Sequence, residues 1–247
     1  MGVVGSVTGS EDGMPPVTSA PIYANYPSEK LTIGAGVAIF HIASERVVVC
    51  YHTRDKYWFL PKGRKNANED VCRAAEREGF EESGYRNRLV PLPMSHRAPD
   101  PDEGHEKFVT EPIWTQLLPL TATSQYMLFW YAAETLPPED EQSYVWNATN
   151  SMLYRIPNAF PKAMTLEQRL LLDSQVGNGD HGKLYEPVQH EGTGVDDEER
   201  LYRSQLLTIE DARKTLKGSV MEDVVKRGWE AIQLRLKMEK TADEPKP

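Results

Sequence analysis

The chain has 247 residues, 39% of them hydrophobic and 9% aromatic, enough to bury the core of one decorated domain or of two small ones. A formal net charge of −9 argues against broad, sequence-independent nucleic-acid binding, which needs a basic face. It leaves room for a small, highly charged phosphate ligand, because a bound cation reverses the local field.

Residues 1–29 are rich in Gly, Ser, Pro and Thr and predict a disordered arm. No basic segment followed by an apolar core opens the chain, so no secretory signal is expected. No apolar run is long enough to span a bilayer. The expected location is therefore cytoplasmic or nuclear. The start Met1-Gly2-Val3-Val4-Gly5-Ser6 fits the N-myristoylation pattern at Gly2, a minor route to membrane association; it also reads as a plain flexible start. The sequon Asn147-Ala148-Thr149 means little without a secretory route.

From Leu31 the pattern changes. Ala35 to Ile42 and Arg46 to Tyr51 predict two buried strands joined by a turn, and Tyr57 to Leu60 a short aromatic strand stopped by Pro61. A loop containing Gly63 leads to a helix from about Glu69 to Ser83, with Gly84 as its stop. Arg86 to Pro91, Ile113 to Leu120 and Gln125 to Ala133 are further strands. Tyr144-Val145-Trp146 is a weaker strand candidate. Thr165 to Gln168 is a capping box opening a short helix, and residues 177–200 read as acidic, Gly-rich and mobile. Thr208 caps a helix that stops near Gly218. Ser219 to Glu222 is a second capping box, opening a long helix with Met221, Val224, Val225, Gly228, Ala231, Ile232 and Leu236 on one face. Cys50 and Cys72 read as reduced, packed thiols rather than a disulfide or a metal pair. The whole reads as one α/β domain over residues 30–239, a mixed sheet between helices, with insertions at about 95–112 and 134–204. Residues 240–247 read as a frayed tail.

The chemistry concentrates in residues 62–85, KGRKNANEDVCRAAEREGFEESGY. Glu78, Glu81 and Glu82 stand at i, i+3 and i+4 and project from one face within one turn. Three like charges repel there, and the C-terminal end of the helix dipole disfavours anions. Hard oxygen donors in one patch are what Mg²⁺ or Mn²⁺ binds. The plain alternative is a solvated acidic face, with Arg77 paired to Glu81 and Arg73 to Glu69 at i±4.

The flanks weigh against that alternative. Gly63 is followed by five residues and Glu69; seven more lead to Arg77-Glu78, then Glu81-Glu82, Gly84 and Tyr85. This resembles the Nudix hydrolase signature, G-x5-E-x7-R-E-U-x-E-E-x-G-U with U a bulky apolar residue. Every fixed polar and Gly position matches. The resemblance implies an α/β/α sandwich, closed by helices like those of the segment LLTIEDARKTLKGSVMEDVVKRGWEAI. It implies a phosphoanhydride hydrolase using Mg²⁺ or Mn²⁺. Glu78, Glu81 and Glu82 would hold the metal, together with the backbone carbonyl of Lys62 brought in by a tight turn at Gly63. Glu78, Arg77 and Glu82 would be the catalytic set, with Arg77 orienting the carboxylates and Glu69 supporting them. One apolar position departs: Gly79 stands where a larger residue faces the sheet, leaving a void or admitting a neighbour such as Phe80.

The Pro61-Lys62-Gly63 lead-in resembles Nudix enzymes of diphosphoinositol polyphosphates, dinucleoside polyphosphates and capped RNA more than nucleotide-sugar enzymes. Lys62, Gly63, Arg64, Lys65 and Arg54, with Lys56 nearby, would form a cationic substrate rim; the bland reading is a turn carrying solvated cations. Tyr57, Trp58, Trp114 and Trp130 are available for stacking, although strand aromatics more often serve the core. His52, His96 and His105 have no assigned role. The expected partner is a small phosphorylated substrate, not extended nucleic acid. Decapping, nucleotide-sugar cleavage and a non-catalytic ligand-sensing module are the alternatives.

Overall fold

The structure is a computed structural model that describes residues 18–99, 106–146, 153–174 and 184–243. Gly2 and residues 1–17 of the expected arm, His105, the sequon, residues 177–183 of the expected mobile stretch and residues 244–247 lie outside the described residues.

Its centre is an 8-stranded mixed sheet. The strands are β1 (Leu31–His41), β2 (Arg46–His52), β3 (Tyr57–Phe59), β4 (Lys62–Arg64), β5 (Asn87–Leu89), β6 (Trp114–Thr121), β7 (Ser124–Thr135) and β8 (Tyr202–Thr208). The order runs β3-β2-β1-β7-β5, with β4 also paired to β1, β6 to β7 and β8 to β2. β1 and β7 run parallel from Leu31↔Gln125 to Phe40↔Glu134, and the other named pairs are antiparallel.

Side chains alternate across these strands, and the alternation sorts the core into two layers. Val37, Ile39, Val48, Tyr131 and Ala133 face α1 (Val71–Ser83), where Ala74 and Ala75 give the helix a flat side. Ala38, Phe40, Val47, Val49, Trp130 and Ala132 face the other way. There they meet α3 (Leu166–Ser174), α4 (Ile209–Thr215) and α5 (Val220–Asp243) through Leu166, Ala212, Leu216, Val224, Val225 and Ile232. The result is the α/β/α sandwich expected from the sequence.

Several local expectations are met atom by atom. Gly84 ends α1 at φ 76°, its N–H on the Phe80 carbonyl. Thr165 and Gln168 cap α3 reciprocally, at 3.1 and 3.0 Å. Thr208 accepts the Asp211 N–H at the start of α4. Others are corrected. Tyr144-Val145-Trp146 ends a helix, α2 (Pro138–Trp146), not a strand. Pro at its first position and Glu139, Asp140 and Glu141 in its first turn suit a helix N-terminus. The Ser219 hydroxyl turns back to the Leu216 carbonyl (2.7 Å) instead of capping α5, and Glu222 reaches Arg213. β8 is not among the strands the sequence predicts, yet it pairs with β2 over seven residues from Arg46↔Thr208 to His52↔Tyr202.

Buried ion pairs tie the helices to the β7 end of the sheet. Glu134 bridges Arg88 and Arg169, each at 2.7 Å, and Arg169 reaches Asp173 at 2.8 Å. Removing one partner of such a set typically costs about 3–5 kcal/mol, because the other charge is left buried alone.

Candidate functional site

The site forms where α1 crosses β4. Gly63 lies within β4, opposite Ala35 of β1, rather than in a tight turn. What requires glycine here is close approach: a Cβ on Gly63 would overlap the Glu78 carboxylate above it. The Gly63 carbonyl accepts the Tyr126 hydroxyl at 2.9 Å. Glu82, one turn beyond Glu78, accepts the Lys62 N–H at 2.7 Å. The short strand is thus tied at Lys62 to the helix that carries the acids and at Gly63 to β7.

Arg77 organises the other side. Its Nε and Nη2 donate to the two oxygens of Glu69 at 2.8 and 2.9 Å, and its Nη1 to Glu78 (2.8 Å) and Glu81 (2.7 Å). Nη2 also reaches the Arg64 carbonyl at 2.9 Å. Glu69 precedes the helix instead of starting it, and also holds the Asn66 N–H at 2.7 Å. The same guanidinium draws Glu81 aside. The carboxylates that converge are Glu78, Glu82 and Glu199, one oxygen of each lying within 4.8 Å of the others.

Glu199 is the residue that reading the sequence missed. It opens a 3₁₀ turn (Glu199–Leu201) just before β8. The only linear signal was the acidic run Asp196 to Glu199 inside a Gly-rich stretch, which reads as solvated charge. Residues 184–200, expected to be mobile, instead dock on the end of α1. His190 N–H donates to the Gly84 carbonyl (2.9 Å) and Thr193 Oγ1 to that of Glu81 (2.8 Å). Ser204 Oγ caps Ser83, and Cys50 Sγ lies 3.8 Å from the Glu82 carbonyl. The carbonyls orphaned at a helix end are thereby satisfied, which offsets the anion-unfriendly end of the dipole.

The electrostatics show an unmet need for positive charge. Burial, then the Glu81 and Glu199 carboxylates, raise Glu78 to about 7 against the pull of Arg77. Burial, reinforced by Glu78 and Glu199, raises Glu82 to about 8 against the pull of Lys62. Glu81 is also raised by burial. Glu69, with the Arg77 guanidinium bonded to it, is held below the usual carboxylate range. An all-oxygen set of carboxylates short of positive charge fits a hard divalent cation such as Mg²⁺ or Mn²⁺.

The expected cationic rim assembles only in part. Arg64 is exposed, and Lys65 Nζ turns to the Asn66 carbonyl at 3.0 Å. Lys62 Nζ lies 5.7 Å from the centre of the Phe59 ring. Arg54 is occupied, its guanidinium bonded to Asp55 and Glu198.

Gly79 is also a close approach. A Cβ there would meet Asn87 Nδ2 at 2.7 Å and Val37 Cγ1 at 2.8 Å, so the expected void is filled by these two side chains and not by Phe80. Phe80 packs sideways under Arg86, whose guanidinium sits 4.4 Å from the ring centre. Gly79→Ala therefore destabilises despite the better helix propensity of Ala, by about 1–3 kcal/mol of overpacking. Thermal melts check this; a variant that melts above the parent would show that the helix shifts freely.

A model described as the NUDIX domain matches residues 31–147. Among solved structures, similarity is found to a NUDIX-family hydrolase from Clostridium perfringens, at 17% identity over 82% of this chain and 97% of that one, TM-score 0.40. A C. elegans Ap4A hydrolase in a binary complex matches at 14% identity over 82% and 98%, TM-score 0.39. A NUDIX hydrolase from Nitrosomonas europaea matches at 9% identity over 80% and 88%, TM-score 0.39. No curated protein matches the chain.

Proposed function

We propose that this chain, which belongs to the Nudix hydrolase family through its domain at residues 31–147, is a divalent-metal-dependent pyrophosphohydrolase that cleaves a phosphoanhydride bond by water attack. The observation that carries this reading is the convergence of Glu78, Glu82 and Glu199 on the helix that bears the Gly63-Glu69-Arg77-Glu78-Glu81-Glu82-Gly84 spacing. The three carboxylates would hold Mg²⁺ or Mn²⁺, with the Lys62 carbonyl as a backbone donor. Glu81 would join them by leaving its Arg77 pair. When bound, the metal neutralises phosphate charge and acidifies a water. The chain's own work is positional: Arg77 holds Glu78 in place, the Lys62 N–H holds Glu82, and the exposed Arg64 guanidinium, with Lys65 beside it, offers donors to phosphate oxygens.

Among the substrates the sequence leaves open, dinucleoside polyphosphates have the best support. With Arg54 occupied, the rim is less cationic than a heavily phosphorylated inositol would favour. An aromatic row flanks the carboxylates instead. Tyr57, His52 and Tyr202 line up across β3, β2 and β8, with Phe59 against Tyr202 at 4.8 Å. Burial raises the Tyr202 hydroxyl, and so do the carboxylates of Glu82 and Glu199. Tyr57 is exposed, with one face of its ring stacked on His52 at 5.1 Å between centroids, so the outer face could take a planar base by stacking.

The test is a turnover screen with Mg²⁺ across dinucleoside polyphosphates, diphosphoinositol polyphosphates, capped RNA, nucleotide sugars and ADP-ribose. The first class is expected to give the highest kcat/KM. Arg64→Ala with Lys65→Ala is expected to raise KM for the polyphosphates by about 10-fold, ~1.4 kcal/mol, and more at low salt, while sparing ADP-ribose. Tight binding without turnover of any class would make the protein a ligand sensor.

A further inference from the structure

We propose that the turn between β2 and β3 is a positioning device for the metal-binding cluster: His52 and Arg54 set Glu199 in place by gripping its neighbour Glu198. The proposal rests on the reading of Glu78, Glu82 and Glu199 as a cation site.

Bringing a third carboxylate up to two others is unfavourable, and Glu199 arrives on a run of four acids, Asp196 to Glu199. Something must hold that run against its own repulsion. Three consecutive residues do so. His52 is fully buried at the end of β2. Its Nδ1 accepts the Asp55 N–H at 3.0 Å, so in the neutral ring the proton sits on Nε2, 2.8 Å from Glu198 Oε1. Thr53 donates twice to the Leu201 carbonyl, from its N–H (3.0 Å) and its hydroxyl (2.7 Å). Arg54 Nη2 donates to both oxygens of Glu198, at 2.7 and 3.0 Å. The turn thus grips the short 3₁₀ segment at both ends, at Glu198 and at Leu201.

Glu199 lies between these grips. Its Oε2 accepts the Val195 N–H at 2.5 Å, and Asp196 Oδ1 accepts the N–H groups of both Glu198 and Glu199 at 2.9 Å. With Glu198 on the turn and Glu199 on the cluster, adjacent side chains point to different partners, and anchoring one fixes the other. A surface ion pair is normally worth little to stability, so its value here lies in placement. This gives Arg54 a different role from the substrate contact the sequence suggested, and gives His52 one where the sequence assigned none.

The experiment is calorimetric Mn²⁺ titration of the full chain, with kcat and KM measured in parallel. Glu198→Ala is expected to weaken Mn²⁺ about 10-fold, close to the loss from Glu199→Ala. The double variant is expected to be no weaker than Glu199→Ala alone, because Glu198 acts through Glu199. Glu198→Gln should recover part of the affinity, since its amide oxygen still accepts from His52. Wild-type Mn²⁺ affinity in Glu198→Ala, or losses that multiply in the double variant, would overturn the proposal. If Glu198→Ala fails to fold, Arg54→Ala decides. That side chain is 56% exposed and outside the core, and unchanged Mn²⁺ affinity there overturns the proposal equally. Mn²⁺ binding that survives Glu78→Gln would instead remove the cation site itself.

Discussion

Glu82→Gln is expected to lower kcat by about 10²–10³ or more, the scale of losing several kcal/mol of metal-borne charge stabilisation, while leaving the fold intact. The fold survives because the Gln oxygen still accepts the Lys62 N–H that Glu82 holds at 2.7 Å. The metal-free protein responds in the opposite sense. Glu82 is raised to about 8 in the folded chain, against about 4.3 when unfolded. Between those values the folded state holds a proton that the unfolded state has lost. Its contribution to stability is complete at low pH and is lost as pH rises through about 8. Gln has no such dependence. In EDTA the variant should therefore melt above the parent at pH 8, and its melting temperature should fall less between pH 5 and pH 8. The paired measurement is melting temperature without metal and kcat at saturating Mg²⁺. A variant that melts much earlier yet turns over normally would reduce Glu82 to a structural residue.

Chelation is expected to abolish turnover and Mg²⁺ or Mn²⁺ to restore it, with an apparent metal affinity that climbs with pH. The climb follows from proton competition. Glu78 is raised to about 7 and Glu82 to about 8, and a cation binds only their ionised forms. Below about pH 7 each binding event displaces up to two protons, so affinity rises steeply; above about pH 8 both groups are already ionised and it levels off. Mn²⁺ titrations at pH 6, 7 and 8, in buffers of different ionisation enthalpy, count those protons directly. Flat affinity across that range would mean that these carboxylates do not take the metal, and full turnover in excess EDTA would remove the mechanism.

Legibility in the sequence follows the range of the interaction. The Gly63 to Gly84 spacing is local. Helix geometry alone places Glu78 and Glu82 one above the other, and the caps at Thr165, Thr208 and Gly84 involve atoms a few residues apart. Unbroken apolar runs, Val37 to Phe40 and Val47 to Val49, likewise imply a sheet covered on both faces. What was not legible was set by partners far along the chain. Gly79 looks like a void until Asn87 and Val37 are seen to fill it. Arg54 looks like a rim cation until Glu198 takes it, and Glu81 looks equal to its neighbours until Arg77 draws it away.

By itself, the sequence determined the acidic helix and a mixed sheet between helices, because each is written in short-range spacing of residue types, while the α/β/α sandwich and the divalent-metal chemistry were expectations from the resemblance that the same spacing carries. Only the tertiary structure decided which three carboxylates meet. Glu199 reaches Glu78 and Glu82 because β8 pairs with β2 and the segment before it docks on the end of α1. A long-range strand pairing of that kind leaves no periodic mark in an acidic, Gly-rich stretch, where the residues that dock and the residues that are merely solvated have the same composition.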